Sequence, residues 1–423
     1  MIESKRGKEI LEKVWRYAFF VIAYLLQGLT IALLVGAQSL TVYHFYRQTG
    51  QRSTVIGTYI AVLGIVWFFK PLYAWLVSRG GRRRGIHMVW FVLAVGIAAL
   101  TARLTGTTSI SPEELPLIGL VPSFGFLLVV MGHNLASALL DTVADSVVYR
   151  TVPKRDRGFV EMLMWASSFL GFAVGSKTIG LYNHPLEFSE LLAGFSWVLI
   201  VFGLIALLML GRMSYAKIES FTDDQTVRTR KGWRNVSFIG FLVLVAAMTQ
   251  VGKGMIEPLF HPWLDVVGGF RRDARGDLLF MAGLMSFAGV FVASLLAKKF
   301  SRLVVLALVA LGAVYVGFYL TELWWGIHEL VISLVLGMAF IEGAVVLLVL
   351  LWFRNLAPEV GRTPAFVFQL LMAGLNVGRL ISAPIGGYLA DRAGFGWTFM
   401  QASAMCVLAA VLVLGAITAR KLD

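Results

Sequence analysis

Runs of apolar residues about 20 positions long, separated by short polar stretches, repeat along the whole chain. A helix needs that length to cross a hydrocarbon core of ~30 Å, and the runs lack the ten-residue alternation of an outer-membrane barrel. The pattern predicts an all-helical integral membrane protein with twelve spans, near 17–45, 53–78, 86–104, 116–149, 159–182, 191–211, 235–260, 277–297, 303–321, 327–353, 364–389 and 397–418.

Composition agrees: 58% of the 423 residues are hydrophobic and only 14% charged, where soluble domains carry about 25% charged residues. The net charge of +13 reflects topology. With the amino terminus in the cytoplasm, 26 of the 37 Lys and Arg fall in inner segments and 7 in outer ones, as the positive-inside rule requires. Basic residues dealt out loop by loop give no face for nucleic acid. The expectation is a multi-pass protein of the plasma membrane (bacterial inner membrane), monomeric, with both termini cytoplasmic and no cleaved signal peptide. The single cysteine, Cys406, forms no internal disulfide.

The charged loop 212–234 divides the chain into a six-span bundle over 1–211 and another over 235–423. Weak echoes relate the two. TVPKRDRG after the fourth span matches LAPEVGRT after the tenth, with Pro153 and Pro358 in register, and Gln27-Gly28 in the first span has a counterpart in Gln250 and Gly252 in the seventh. Two related six-helix halves enclosing a midplane cavity are the plan of the major facilitator transporters.

Four stretches carry a closer resemblance. AWLVSRGGRRR (74–84) resembles the facilitator loop signature through Arg79, Gly81, Arg82 and Arg83, with Ser78 where that family usually has Asp. The element around Trp67, Lys70, Pro71, Leu72 and Tyr73 looks like the second span of folate-biopterin transporters, and SALLDTVADSVVYRTVPKRDRG is similar to the fourth span shared with the muropeptide permeases. LNVGRLISAPIGGYLADRAGFGWTFM resembles their eleventh. The resemblance implies a major facilitator transporter of that branch.

Charged side chains inside spans are the candidate functional residues, because each costs roughly 2.5–3.5 kcal/mol at a helix centre. At a rise of ~1.5 Å per residue, Asp141 and Lys70 both lie roughly 14 Å from the inner boundary, and Glu342 near ~18 Å. Asp145 sits one turn below Asp141 on the same helix face. The Lys70 and aspartate group reads as a permanent ion pair, as a proton-coupling site centred on Asp141, or as a substrate contact. Glu342 is a second protonation candidate.

Arg379, flanked by Gly374, Gly378 and Pro384, suits bidentate binding of an anion or bonds to backbone carbonyls. Lys253 and Glu257, spaced i,i+4, are expected to pair with each other. Lys177 either lines the cavity or snorkels outward. Trp67, Phe68 and Tyr73 either stack on an aromatic cargo or pack, and His133 reads as a satisfied core histidine.

No Walker loop, metal-ligand cluster or nucleophile motif is present, so no cofactor is implied. Integral alcohol phosphotransferases also space Asp four apart, but with a Gly where this chain has Ser137. Enzymatic chemistry is therefore not expected. The reading is a secondary transporter working by alternating access on a small anionic or zwitterionic organic solute, with protons as coupling partner. An assembly or scaffold role on the same fold is the alternative.

Overall fold

The computed structural model describes residues 2–35, 53–79, 84–107, 124–181, 185–213, 232–296, 300–323, 328–360 and 364–422. Among them, twelve helices are long and apolar enough to cross a membrane: Ile10–Leu34, Ser53–Val77, Arg84–Thr105, Leu127–Thr151, Arg157–Thr178, Glu190–Arg212, Ser237–Val266, Asp273–Leu296, Arg302–Glu322, His328–Ala357, Phe366–Ala393 and Phe395–Ala419. These are called the first to twelfth spans. Most of the loop at 212–234 lies outside the described residues.

The spans form two six-helix bundles with matching internal packing. The first span packs on the fifth and the third on the fourth and sixth; correspondingly, the seventh packs on the eleventh and the ninth on the tenth and twelfth. Small residues set the first-to-fifth contact. A Cβ on Gly28 would overlap the backbone of Ser168, and one on Gly171 the backbone of Leu25. Without hydrophobic driving force inside a bilayer, such close backbone approach is what holds helices together. Gly378 against Ala247 does the same between the eleventh and seventh spans.

The bundles meet along two helix pairs, the second span on the eleventh and the fifth on the eighth. The chain's described ends, Ile2 and Leu422, define a terminal end of the molecule, and the opposite one is the distal end. At the distal end, Gly57 sits on Ala383 and Pro384, Gly387 on Ser53 and Thr54, and Gly283 on Ala173. All three bring one bundle's backbone onto the other.

Two spans are broken. The second turns at Phe69 between Ser53–Phe68 and Lys70–Arg79, because Pro71 has no N–H to continue the ladder. At the break, the carbonyl of Val66 accepts the Tyr73 hydroxyl at 3.0 Å and the Phe69 N–H at 3.3 Å. The seventh is interrupted over 257–259, around Pro258, before the short helix Phe260–Val266. Broken helices survive at membrane depth only where protein or a cavity surrounds the exposed backbone, and both breaks lie at the central cavity.

Candidate functional site

A cavity of about 280 Å³ lies between the bundles, lined from both. From the first bundle come Gln27, Trp67, Lys70, Asn134, Asp141 and an aromatic group, Trp165, Phe169 and Phe172. From the second come Gln250, Lys253, Glu257, Glu342, Asn376 and Arg379. Neither break in the helices is incidental: Trp67 and Lys70 flank the first, and Glu257 and Phe260 the second.

On the first-bundle side, Lys70 forms a buried salt bridge with Asp141. Asp141 also accepts the Tyr24 hydroxyl at 2.7 Å and the Gln27 side-chain N–H at 3.2 Å. The lysine ammonium stands 5.3 Å from the Trp67 ring centroid, within cation–π range. Asn134 receives the Trp67 indole N–H and donates to the Leu63 carbonyl. Nearly every polar group on this wall is thus committed to the protein.

On the second-bundle side, the pairing departs from the i,i+4 expectation. Lys253 bonds Glu342 at 3.0 Å, and Glu257 takes the guanidinium of Arg379 through both oxygens. The backbone register is intact, since the Glu257 N–H still bonds the Lys253 carbonyl at 3.1 Å, and each side chain instead takes a partner from a neighbouring span. The lysine reaches across to the tenth span and the glutamate to the eleventh. Arg379 is accordingly held by a carboxylate instead of backbone carbonyls. Three cations and three carboxylates line the cavity, and each cation has a carboxylate partner.

Below the cavity, toward the terminal end, Arg354 of the tenth span bridges Asp145 of the fourth at 3.1 Å and Glu161 of the fifth. Gln369 of the eleventh donates to Asp145 at 2.8 Å. The guanidinium carbon lies 4.9 Å from the Tyr149 ring and 4.7 Å from that of Phe368. Arg354 was counted above among inner-loop cations; it is instead buried inside the protein. The tenth span's helix runs on to Val360, about two turns beyond the boundary read from hydropathy at ~3.6 residues per turn, because apolar content ends before the helical backbone does.

Above the cavity, Lys177 neither lines it nor snorkels alone, since it pairs with Asp277 of the eighth span at an exposed site. Asp391 of the eleventh accepts the backbone N–H groups of Ser53 at 3.0 Å and Thr54 at 2.8 Å. It caps the amino terminus of the second span, where unpaired N–H groups and the helix dipole favour a carboxylate. Both contacts cross between bundles.

Sequence reasoning missed Glu161, Asp277 and Asp391 as partners. Glu161 had a readable signal, a lone acid one turn inside an apolar run. His133 is buried, with Nδ1 3.0 Å from the Ala98 carbonyl and 2.9 Å from the Thr101 hydroxyl, while Nε2 has no hydrogen-bond partner among the described residues. Phe68 is exposed, away from the cavity lining. Arg79 ends its helix, while Gly81, Arg82 and Arg83 lie outside the described residues. Among the described residues, no group of three His, Cys, Asp or Glu converges to hold a metal.

No protein-family model matches the chain, and no curated protein matches it by sequence. Among solved structures it is similar to the crystal structure of the human organic anion transporter MFSD10 (TETRAN), with a TM-score of 0.66 at 15% identity, covering 95% of this chain and 98% of that one. The chain has the major facilitator fold of twelve helices in two bundles.

Proposed function

We propose that the protein is a secondary transporter that moves a small anionic or zwitterionic organic solute by alternating access, coupled to protons. The observation that carries the reading is a charged cavity between two bundles, with contacts joining those bundles both above and below it. An assembly factor has no need of three ion pairs at the midplane, each of which is expensive to bury. The solved structure it resembles is titled an organic anion transporter, which fits a cavity carrying Arg379 and Lys253. The motif resemblance to folate-biopterin transporters and muropeptide permeases supports the same class of solute carrier. The positive-inside pattern supports a cytoplasmic terminal end.

The coupling site we favour is Asp145 with Glu161, in preference to Asp141. Asp141 has a lysine, a tyrosine and a glutamine on its two oxygens, all from its own bundle. Asp145 and Glu161 share one guanidinium, and that guanidinium belongs to the other bundle. Opening the cytoplasmic end draws Arg354 away and leaves two neighbouring carboxylates without a countercharge. A proton is the smallest ion that offsets that loss. Closure returns Arg354 and releases it.

The test uses proteoliposomes and solid-supported-membrane currents with a panel of organic anions and zwitterions. A transported solute gives a current that grows with an inward proton gradient. Asp145→Asn is expected to keep solute exchange and lose gradient-driven accumulation. Accumulation that remains fully gradient-driven in both Asp145→Asn and Glu161→Gln removes this pair as the coupling site.

A further inference from the structure

The two walls of the cavity differ in kind. On the first-bundle side, Lys70 has a side-chain exposure of 0% and Asp141 of 3%, so their charges are spent on each other. What that wall offers a solute is ring surface from Trp67, Trp165, Phe169 and Phe172. On the second-bundle side, Arg379 is 37% and Lys253 27% exposed, so their charges remain open to the cavity. Glu257 and Glu342 stand beside them as partners. An isolated anion entering there meets as much negative as positive charge. A head group carrying both a carboxylate and an ammonium matches the alternation without net charge, and burying an uncompensated charge is costly.

Resting on the transport reading above and extending it to the cargo, we infer that the cavity takes an aromatic zwitterion. Its carboxylate and ammonium lie against Arg379, Glu257, Lys253 and Glu342, and its ring system lies against the first bundle's aromatic wall. The volume of about 280 Å³, at the lower edge of the roughly 300–1,000 Å³ usual for ligand pockets, suits a solute of one or two rings. Aromatic faces pack best on other rings in offset or edge-on arrangements, which a flat body supplies and an aliphatic one does not.

Four probes separate head from body: tryptophan, alanine, indole-3-propionate and tryptamine. Each is titrated calorimetrically into the full chain in lipid nanodiscs, with empty nanodiscs subtracted. Tryptophan is expected to bind at least tenfold more tightly than the other three. Arg379→Gln should weaken tryptophan and indole-3-propionate about tenfold while sparing tryptamine, and Phe169→Ala should weaken all three indoles. Alanine binding as well as tryptophan overturns the aromatic wall. Tryptamine or indole-3-propionate binding as well as tryptophan overturns the paired head site, and an absence of binding by all four overturns the inference. If tryptophan binds as expected but no solute on the panel is transported, the transport reading fails and the binding site stands.

Discussion

Arg354 shows how unevenly the ion pairs of this protein count. It is buried with two carboxylates, so removing it strands both. Arg354→Leu should cost roughly 3–5 kcal/mol, the penalty for breaking a buried charge group by deleting one partner. Neutralising the acids as well, with Asp145→Asn and Glu161→Gln, should return most of that loss. Lys177→Ala removes an ion pair exposed on both sides, which in water contributes about 0–1 kcal/mol. Denaturant unfolding of the purified protein in detergent measures all three. A loss at Lys177 equal to that at Arg354 would mean that burial does not set their ranking.

At the scale of helices, glycine positions predict two different outcomes. Gly28 packs on Ser168 inside one bundle, so Gly28→Leu forces apart helices that must stay together, and the yield of folded protein should collapse. Gly283 packs on Ala173 between bundles. There the larger side chain in Gly283→Leu acts as a wedge at the distal end, and the protein should fold with its cavity opened that way. A cysteine placed at the cavity-lining Asn376, in a background with Cys406 replaced by serine, should then react faster with an impermeant thiol reagent added from outside. Unchanged labelling with intact folding would show that this contact does not close the distal end.

Hydropathy found all twelve helices because membrane length is written locally in each run. Charge partners were harder to read. The level of Lys70 with Asp141 could be counted because the helix from Lys70 to Arg79 and that from Asp141 to Arg150 are each continuous, and the structure pairs them. The true partners of Lys253 and Glu257 could not be counted along one helix, because they come from spans more than 80 residues away. Arg354 escaped for a related reason. Apolar content alone ended the tenth span before it, whereas the helix itself continues.

For the whole molecule, the two bundles touch at both ends around one cavity, through Arg354 with Asp145 and Glu161 below and Asp391 with the second span above. The proposed alternating access requires that the two sets of contacts break in turn. Close backbone packing holds each bundle internally, and the bundles meet along two helix pairs whose distal close approaches and terminal ion pairs are separate sets of contacts. Weakening one set should therefore open its own end and leave the other closed.

Electron paramagnetic resonance distances between spin labels on opposite bundles read both ends in one protein. One label pair, at the exposed residues Arg155 and Arg302, reports the terminal end, and a second, at Leu181 and Val266, reports the distal end. In nanodiscs, Arg354→Gln, or Asp145→Asn together with Glu161→Gln should the first variant fold poorly, is predicted to shift the terminal pair to longer distances while the distal pair stays short. Gly283→Leu is predicted to do the reverse. Both pairs lengthening together, or neither moving in any folded variant, would contradict a transporter that opens its two ends in alternation.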